Sequence, residues 1–146
     1  MKAVIQRVSS ASVSVQENII STIETGLLVL LGISEKDNKL KTEKMCNKIL
    51  NLRVFSEKDK NNMELSVKQI RGSVLIVSQF TLYAECNSGN RPSFFRAANR
   101  KHAKHIYNEL VNYMNNQNID VQYGRFGENM DISSINVGPM TIIYEV

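Results

Sequence analysis

The sequence is poor in cysteine, proline and long apolar runs, and each shortage excludes something. Among 146 residues there are two cysteines, Cys46 and Cys86, forty residues apart. Neither belongs to a C-x-x-C pair, and no histidine lies at zinc-ligand spacing from either. A disulfide framework and a structural metal site are thereby set aside, and two free thiols fit a reducing compartment. The longest apolar run, Leu27 to Ile33 with Gly32 inside it, is far shorter than the ~20 residues a membrane-spanning helix needs. Arg7 interrupts the opening segment where a secretory signal needs unbroken apolar residues, so a cytoplasmic protein is expected. The common catalytic signatures are missing as well. There is no G-x-x-x-x-G-K-[ST] loop, no G-x-G-x-x-G, no G-x-S-x-G and no H-E-x-x-H.

What is present describes one globular domain spanning 1–146. The hydrophobic fraction is 42% and the charged fraction 22%, enough for a core without covalent staples. The net charge is +4, but it is unevenly spread. Between Glu85 and Glu109 there is no acidic residue, while Arg91, Arg96, Arg100, Lys101 and Lys104 fall there with His102 and His105. Such a cluster is either a solvated helix face or a footprint for nucleic-acid phosphates.

Periodicity predicts a mixed α/β chain. Ala3–Val15 alternates and reads as a strand with one polar face, and Gln16-Glu17-Asn18 turns it into Ile19–Ile23 as a hairpin. Leu27–Leu31 is a buried strand. A helix follows, with Leu40, Met45, Ile49 and Leu52 as its apolar positions. Arg53-Val54-Phe55 and a polar turn at 57–62 suggest a hairpin-like excursion. Val74–Val77 is a second buried strand, predicted to run on through Ser78-Gln79-Phe80-Thr81-Leu82. After a polar loop at 85–93, the stripe Ala103, Ile106, Tyr107, Leu110, Val111 and Met114 marks a second helix. Val121–Tyr123, Ile132–Val137 and Thr141–Val146 complete the strands. Strict βαβ alternation is absent, which disfavours a doubly wound parallel sheet.

Few residues advertise chemistry. His102 and His105, three apart on the basic helix, have no nucleophile near them in sequence. Cys86 lies in a polar loop without an assigned partner. Thr81 ends a predicted buried strand, where a hydroxyl must find a hydrogen bond. Gly138-Pro139 interrupts two apolar strands, and proline cannot donate to a ladder, so a break, bulge or turn is required there.

Taken in order, several segments closely resemble the D-aminoacyl-tRNA deacylase family over essentially the whole chain. They are Met1–Val13, Gly26–Gly32, Lys48–Arg53, Ser78-Gln79-Phe80-Thr81-Leu82-Tyr83-Ala84, Gly89-Asn90-Arg91-Pro92-Ser93-Phe94, Gly124-Arg125-Phe126-Gly127 and Asn136-Val137-Gly138-Pro139-Met140-Thr141. The resemblance implies a homodimeric hydrolase of α/β class: one domain of mostly antiparallel, barrel-like sheet layers backed by two helices, in β/β/α order. It implies a substrate, D-aminoacyl-tRNA, with the D-amino acid esterified to the 3′-terminal adenosine; mischarged glycyl-tRNA is a further family substrate. Ser78, Gln79, Phe80 and Thr81 then line the ester. Gly138-Pro139 matches the family's Gly-cisPro element, which reaches across the dimer and excludes L side chains. Arg7 matches the arginine that holds that element. Val137 and Met140 depart from the family's commoner residues on either side of it.

The chemistry needs no cofactor. An aminoacyl ester is already activated, so catalysis reduces to placing water and stabilising an oxyanion, with backbone N–H groups near Phe80 as donors. Two mechanisms stand open. Thr81 is the nucleophile, or the 2′-OH of the terminal adenosine assists and Thr81 positions the substrate. The second is favoured, because no residue is placed in sequence to act as a base for Thr81. The competing readings are an RNA-binding module resting on the basic stretch, and a small-molecule hydrolase using Thr81 or Cys86. A plain binding module does not need Ser78–Leu82 and Gly138-Pro139 together.

Overall fold

Strand β1, Lys2–Val15, is the organising element of the computed structural model, which describes residues 1–57, 60, 62–87 and 89–146. Along one edge it pairs antiparallel with β2 (Asn18–Ile23) and β3 (Gly26–Gly32), and along the other with β8 (Asp131–Glu145). Its buried positions change parity twice. Ala3 and Ile5 are buried, then Val8, then Ala11, Val13 and Val15. The ladder to β8 shifts register between Gln6 and Val8, and again between Val8 and Ser10. An irregularity of this kind turns the strand over, so one strand serves two cores.

Beyond β3 the sheet continues with β6 (Ser73–Ser78) and β7 (Asp120–Tyr123), both parallel to their neighbours. The first parallel step is bridged by helix α1 (Lys39–Asn51) and the small antiparallel pair β4 (Arg53–Phe55) and β5 (Leu65–Ser66). The second is bridged by a 3₁₀ turn, a long loop and helix α2 (Arg100–Asn115). A parallel pair requires such a crossover. The fold is therefore a mixed, nearly closed barrel-like sheet backed by two helices, with antiparallel pairing at one end and parallel pairing at the other. Closure is completed where Ser21 Oγ of β2 donates to Tyr123 O of β7 at 2.8 Å.

Alternation along β3 and β6 divides the cores. Leu27, Val29, Leu31, Val74 and Ile76 face the helices, where they meet Met45, Ile49, Ile106, Leu110 and Met114. Leu28, Leu75 and Val77 face the barrel interior with Val8, Val13 and Ile23. Each such fully buried Leu or Ile contributes about 1.5–3 kcal/mol relative to exposure.

Both helices begin at an asparagine cap. Asn38 accepts from Lys41 N at 3.1 Å and Asn99 from His102 N at 3.0 Å. The predicted apolar stripe of α2 is buried at Ile106, Tyr107, Leu110, Val111 and Met114. In α1 the buried face is Thr42, Met45, Cys46, Ile49 and Leu50. Leu40 is exposed instead, and Leu52 lies past the last turn. The predicted excursion after Phe55 is the β4–β5 pair, and residues 58, 59 and 61 of its turn lie outside the described residues.

Two expectations are corrected. The strand ending at Ser78 does not continue through Leu82. Phe80–Tyr83 form a 3₁₀ turn in which Thr81 is exposed, because Leu82 N bonds back to Gln79 O at 3.3 Å and bends the chain out of the sheet. The Gly138–Pro139 bond, expected cis, is trans; among the described residues no peptide bond is cis. Trans is the easier isomer by about 0.5–1 kcal/mol. Gly138 turns the chain through its φ of +116° instead.

Candidate active site

The carboxyl ends of the three parallel strands converge, the usual place for a site in an α/β sheet. Ile33 follows β3, Ser78 ends β6 with Gln79 and Phe80 after it, and Phe126 to Met130 follow β7. Together with Phe94 and Arg100 they bound a cavity of about 610 Å³. That volume suits a small ligand of several rings. Its floor is apolar, made by Leu31, Val77 and Ile132.

The 3₁₀ turn forms because Gln79 is pinned at the strand end. Its N–H donates to Leu31 O at 2.8 Å. Leu82 N and Ala84 N then close on Gln79 O and Thr81 O, at 3.3 and 3.0 Å. The N–H groups of Phe80 and Thr81 precede the first of these bonds, so the turn gives them no internal acceptor. The Phe80 ring is 58% exposed and meets the Phe94 ring edge-on, with centroids 5.0 Å apart. This pair forms an apolar lip on the cavity.

Thr81 follows Phe80 but does not line the cavity wall. Its hydroxyl accepts from Gln79 Nε2. Among the described residues no imidazole, amine or carboxylate bonds to it, so no general base is at hand. Cys46 is no alternative nucleophile. It is buried between the helices, and burial pushes its thiol up to about 12. Cys86 is exposed in its loop and does not line the cavity. No group of three or more His, Cys, Asp or Glu among the described residues is arranged to hold a metal ion.

The second predicted motif lies elsewhere. Gly138 and Pro139 sit on the exposed side of β8, outside the lining of their own chain's cavity. Gln6 pairs with Thr141 and Val8 with Asn136, so residues 137–140 bulge out opposite Arg7 alone. Arg7 holds the bulge. Its Nε donates to Val137 O at 3.2 Å and its Nη1 to Val54 O at 2.5 Å. A Cβ on Gly138 would lie 2.5 Å from Arg7 Nη2, and the backbone there is left-handed. Only glycine fits. Asn136 ties the base, accepting from Met140 N at 3.0 Å and donating to Thr141 Oγ1 at 2.8 Å.

The basic stretch does not form one surface. Arg96 pairs with Glu85 at 3.5 Å. Arg100 turns to the cavity, its guanidinium against Gly127, where a Cβ would lie 2.7 Å away. His102 Nε2 lies 3.0 Å from Asp37 O, and His105 lies 3.8 Å from Glu109. Arg91, Lys101 and Lys104 are exposed and in no ion pair among the described residues. Only Arg96 among the five Arg and Lys cations is in an ion pair among the described residues, and its acid, Glu85, borders the stretch.

Sequence reasoning gave no role to Phe94, Phe126, Glu128 or Met130, which line the cavity. The signal available was the Gly-Arg-Phe-Gly segment directly after β7, at the third strand end.

The comparisons fit this geometry. The family described as D-Tyr-tRNA(Tyr) deacylase matches residues 4–145. A D-aminoacyl-tRNA deacylase of Thermosipho africanus (strain TCF52B) is 46% identical over 145 residues, covering 99% of this chain and 97% of the relative. One of Shewanella denitrificans (strain OS217 / ATCC BAA-1090 / DSM 15013) is 44% identical over 146 residues, covering 100% of both. A solved structure of a c-Myc DNA Unwinding Element Binding Protein superposes with a TM-score of 0.93 at 40% identity, over 100% of this chain and 99% of the other. A probable eukaryotic D-amino acid tRNA deacylase shares the fold, with a TM-score of 0.82 at 13% identity. Match over nearly every residue, with both hallmark motifs in ordered and distinct places, leads to one conclusion: the chain belongs to the D-Tyr-tRNA(Tyr) deacylase family, enzymes that hydrolyse aminoacyl-tRNA.

Proposed function

We propose that the cavity at the strand ends takes the 3′-terminal adenosine of tRNA with its esterified D-amino acid. Water adds to the ester carbonyl, the tetrahedral oxyanion forms, and the 3′-oxygen leaves with a proton as the free tRNA terminus. The N–H groups of Phe80 and Thr81 are the oxyanion donors, and Ser78 and Gln79 place the ester. The 2′-OH beside the leaving oxygen handles the proton, and Thr81 positions the substrate. The observation that carries this reading is the Thr81 hydroxyl bonded to the Gln79 amide and, among the described residues, to no base. An activated ester needs no more than orientation and charge stabilisation.

Stereochemical selection falls to Gly138-Pro139 of a second copy of the chain. In its own chain this loop does not line the cavity. Among the described residues β8 pairs with β1 alone, leaving the other edge of this 15-residue strand without a partner strand. Ile135, Val137 and Ile143 are exposed along it, at 62, 40 and 71%. A long exposed apolar edge seeks a partner. A homodimer covers it and carries each loop into the other chain's cavity, where the loop blocks an L side chain. Glycine has no side chain to block, so glycyl-tRNA is also a substrate. Arg91, Lys101 and Lys104 contact tRNA phosphates, Arg100 acts at the cavity, and Arg96 joins them on release from Glu85. No cofactor takes part, and the protein works in the cytoplasm, where charged tRNA is.

The test offers the enzyme D-tyrosyl-, L-tyrosyl- and glycyl-tRNA and follows amino-acid release. Release from the first and third with the L ester intact is expected; equal release from D and L overturns the selection role. Light scattering gives the oligomer, and a monomer at working concentration overturns the cross-chain arrangement.

A further inference from the structure

A second concave surface lies away from the cavity, between the C-terminal half of α1, the start of β4 and the end of β8. It encloses about 520 Å³ and is lined by Lys44, Asn47, Lys48, Asn51, Arg53 and Tyr144 along with Leu52. No carboxylate lines it. Lys44, Lys48 and Arg53 are exposed, and none is in an ion pair among the described residues. The acid at the end of β8, Glu145, is taken by Lys2 at 3.6 Å. Lys48 Nζ stands 5.4 Å from the centre of the Tyr144 ring, and Tyr113 OH donates to Asn47 Oδ1 at 3.2 Å. Three cations in no ion pair among the described residues, with two amides beside them in one groove, are donors for a phosphodiester backbone.

Position ties this groove to the selection loop. Arg53 is followed by Val54, whose carbonyl accepts from Arg7, and the same guanidinium holds Val137 O. The groove and Gly138-Pro139 are thus one side chain apart. We propose that Lys44, Lys48 and Arg53 bind backbone phosphates of tRNA near its aminoacylated end. The tRNA concerned is the one whose 3′ terminus occupies the partner copy's cavity. This rests on the cross-chain reading above: a loop entering the partner's cavity brings its neighbouring groove over the strand that leads out of it. The binding surface is then divided between two copies, with Arg91, Lys101 and Lys104 on one and the α1 groove on the other. The groove reads backbone charge, so it adds affinity without choosing the amino acid.

The test is the double variant Lys44→Gln/Lys48→Gln, with Arg53→Gln as an independent second variant, on three substrates. Uncharged tRNA reports binding by fluorescence anisotropy across a salt series. D-tyrosyl-tRNA reports kcat/KM, and 3′-O-D-tyrosyl-adenosine reports the chemistry without a phosphate backbone. The double variant is expected to weaken tRNA binding about tenfold near 0.1 M salt and to flatten the log–log salt slope by about one to two units. Its kcat/KM on D-tyrosyl-tRNA falls in parallel, while the adenosine ester is cleaved as by wild type. Unchanged binding and slope in both variants overturn the groove and leave the deacylase reading standing. An equal loss on the adenosine ester also overturns it, since the effect then runs through the fold. Failure of wild type on both esters, with the binding loss intact, separates an error in the catalytic reading from an error about the groove.

Discussion

The two hallmark segments are held in opposite ways. Ser78-Gln79-Phe80-Thr81 is fixed by backbone: a strand ends, Gln79 N bonds to Leu31 O, and a 3₁₀ turn leaves the Phe80 and Thr81 N–H groups without an acceptor inside it. Its geometry follows from the sheet. Gly138-Pro139 is fixed by side chains, hung on Arg7 and Asn136 at an exposed bulge. A backbone-built element tolerates side-chain change. One hung on two side chains does not, and the two predict different mutational profiles.

The largest effect is expected at Gly138. Gly138→Ala places a methyl group where Arg7 stands and forces an L residue to a φ of +116°. The loop must move, and the D-over-L rate ratio should fall by about 100-fold, equivalent to ~2.7 kcal/mol. Initial rates on D- and L-tyrosyl-tRNA measure it, and an unchanged ratio breaks the contrast. Next comes Thr81→Ala, which removes one hydrogen-bonding hydroxyl. A loss of about 1–3 kcal/mol, or roughly 5- to 150-fold in rate, is expected. Loss of a true nucleophile would cost on the order of 10⁴-fold. A 2′-deoxyadenosine ester sharpens the test: it should be cleaved poorly, and rapid cleavage alongside a dead Thr81→Ala would make threonine the attacking group.

Arg7→Lys should come third. A lysine cannot reach Val54 O and Val137 O together as the guanidinium fork does. A fall of about tenfold in the D-over-L ratio is expected, with kcat on the D ester nearly kept; a fall in kcat alone would show that Arg7 supports the cavity instead. The smallest effect concerns Cys46, remote from both segments. Burial raises its folded-state pKa from 9.0 to about 12. The folded state therefore holds the proton more tightly, so this contribution is whole below pH ~9 and fades as pH rises towards 12. Thiol titration near pH 8 should find Cys86 at once and Cys46 only after denaturation.

Much of this was legible in the sequence. The alternation of β1, the stripe of α2 and the turn demanded by Gly138-Pro139 are local signals, and local physics decides them. Thr81 was not, since Ser78-Gln79-Phe80-Thr81-Leu82 alternates as a strand does. The bonds from Leu82 N to Gln79 O and from Ala84 N to Thr81 O bend it away. The stretch from Arg91 to Lys104 read as one charged face because its partners, Glu85 and Gly127, come from other elements. The α1 groove gave no signal for the same reason. Its lysines lie on a helix with Glu43, and only tertiary contact brings Arg53 and Tyr144 beside them.

The pairing of β1 with β8 bears on how the molecule matures. Gln6 and Thr141, whose side chains bond across that ladder, are 135 residues apart in sequence. Closing so long a loop is entropically slow compared with forming the hairpin of β1 and β2. The cavity is built mainly at the ends of β3, β6 and β7 and takes one residue, Ile132, from β8, whereas the Arg7–Gly138 clasp rests wholly on that closure. On the function proposed above, refolding is thus expected to yield ester cleavage before selection of D over L. A time course of D- and L-ester cleavage after dilution from denaturant reads this directly: early molecules should be the less discriminating ones, and a D-over-L ratio constant from the first time point would show that both mature together.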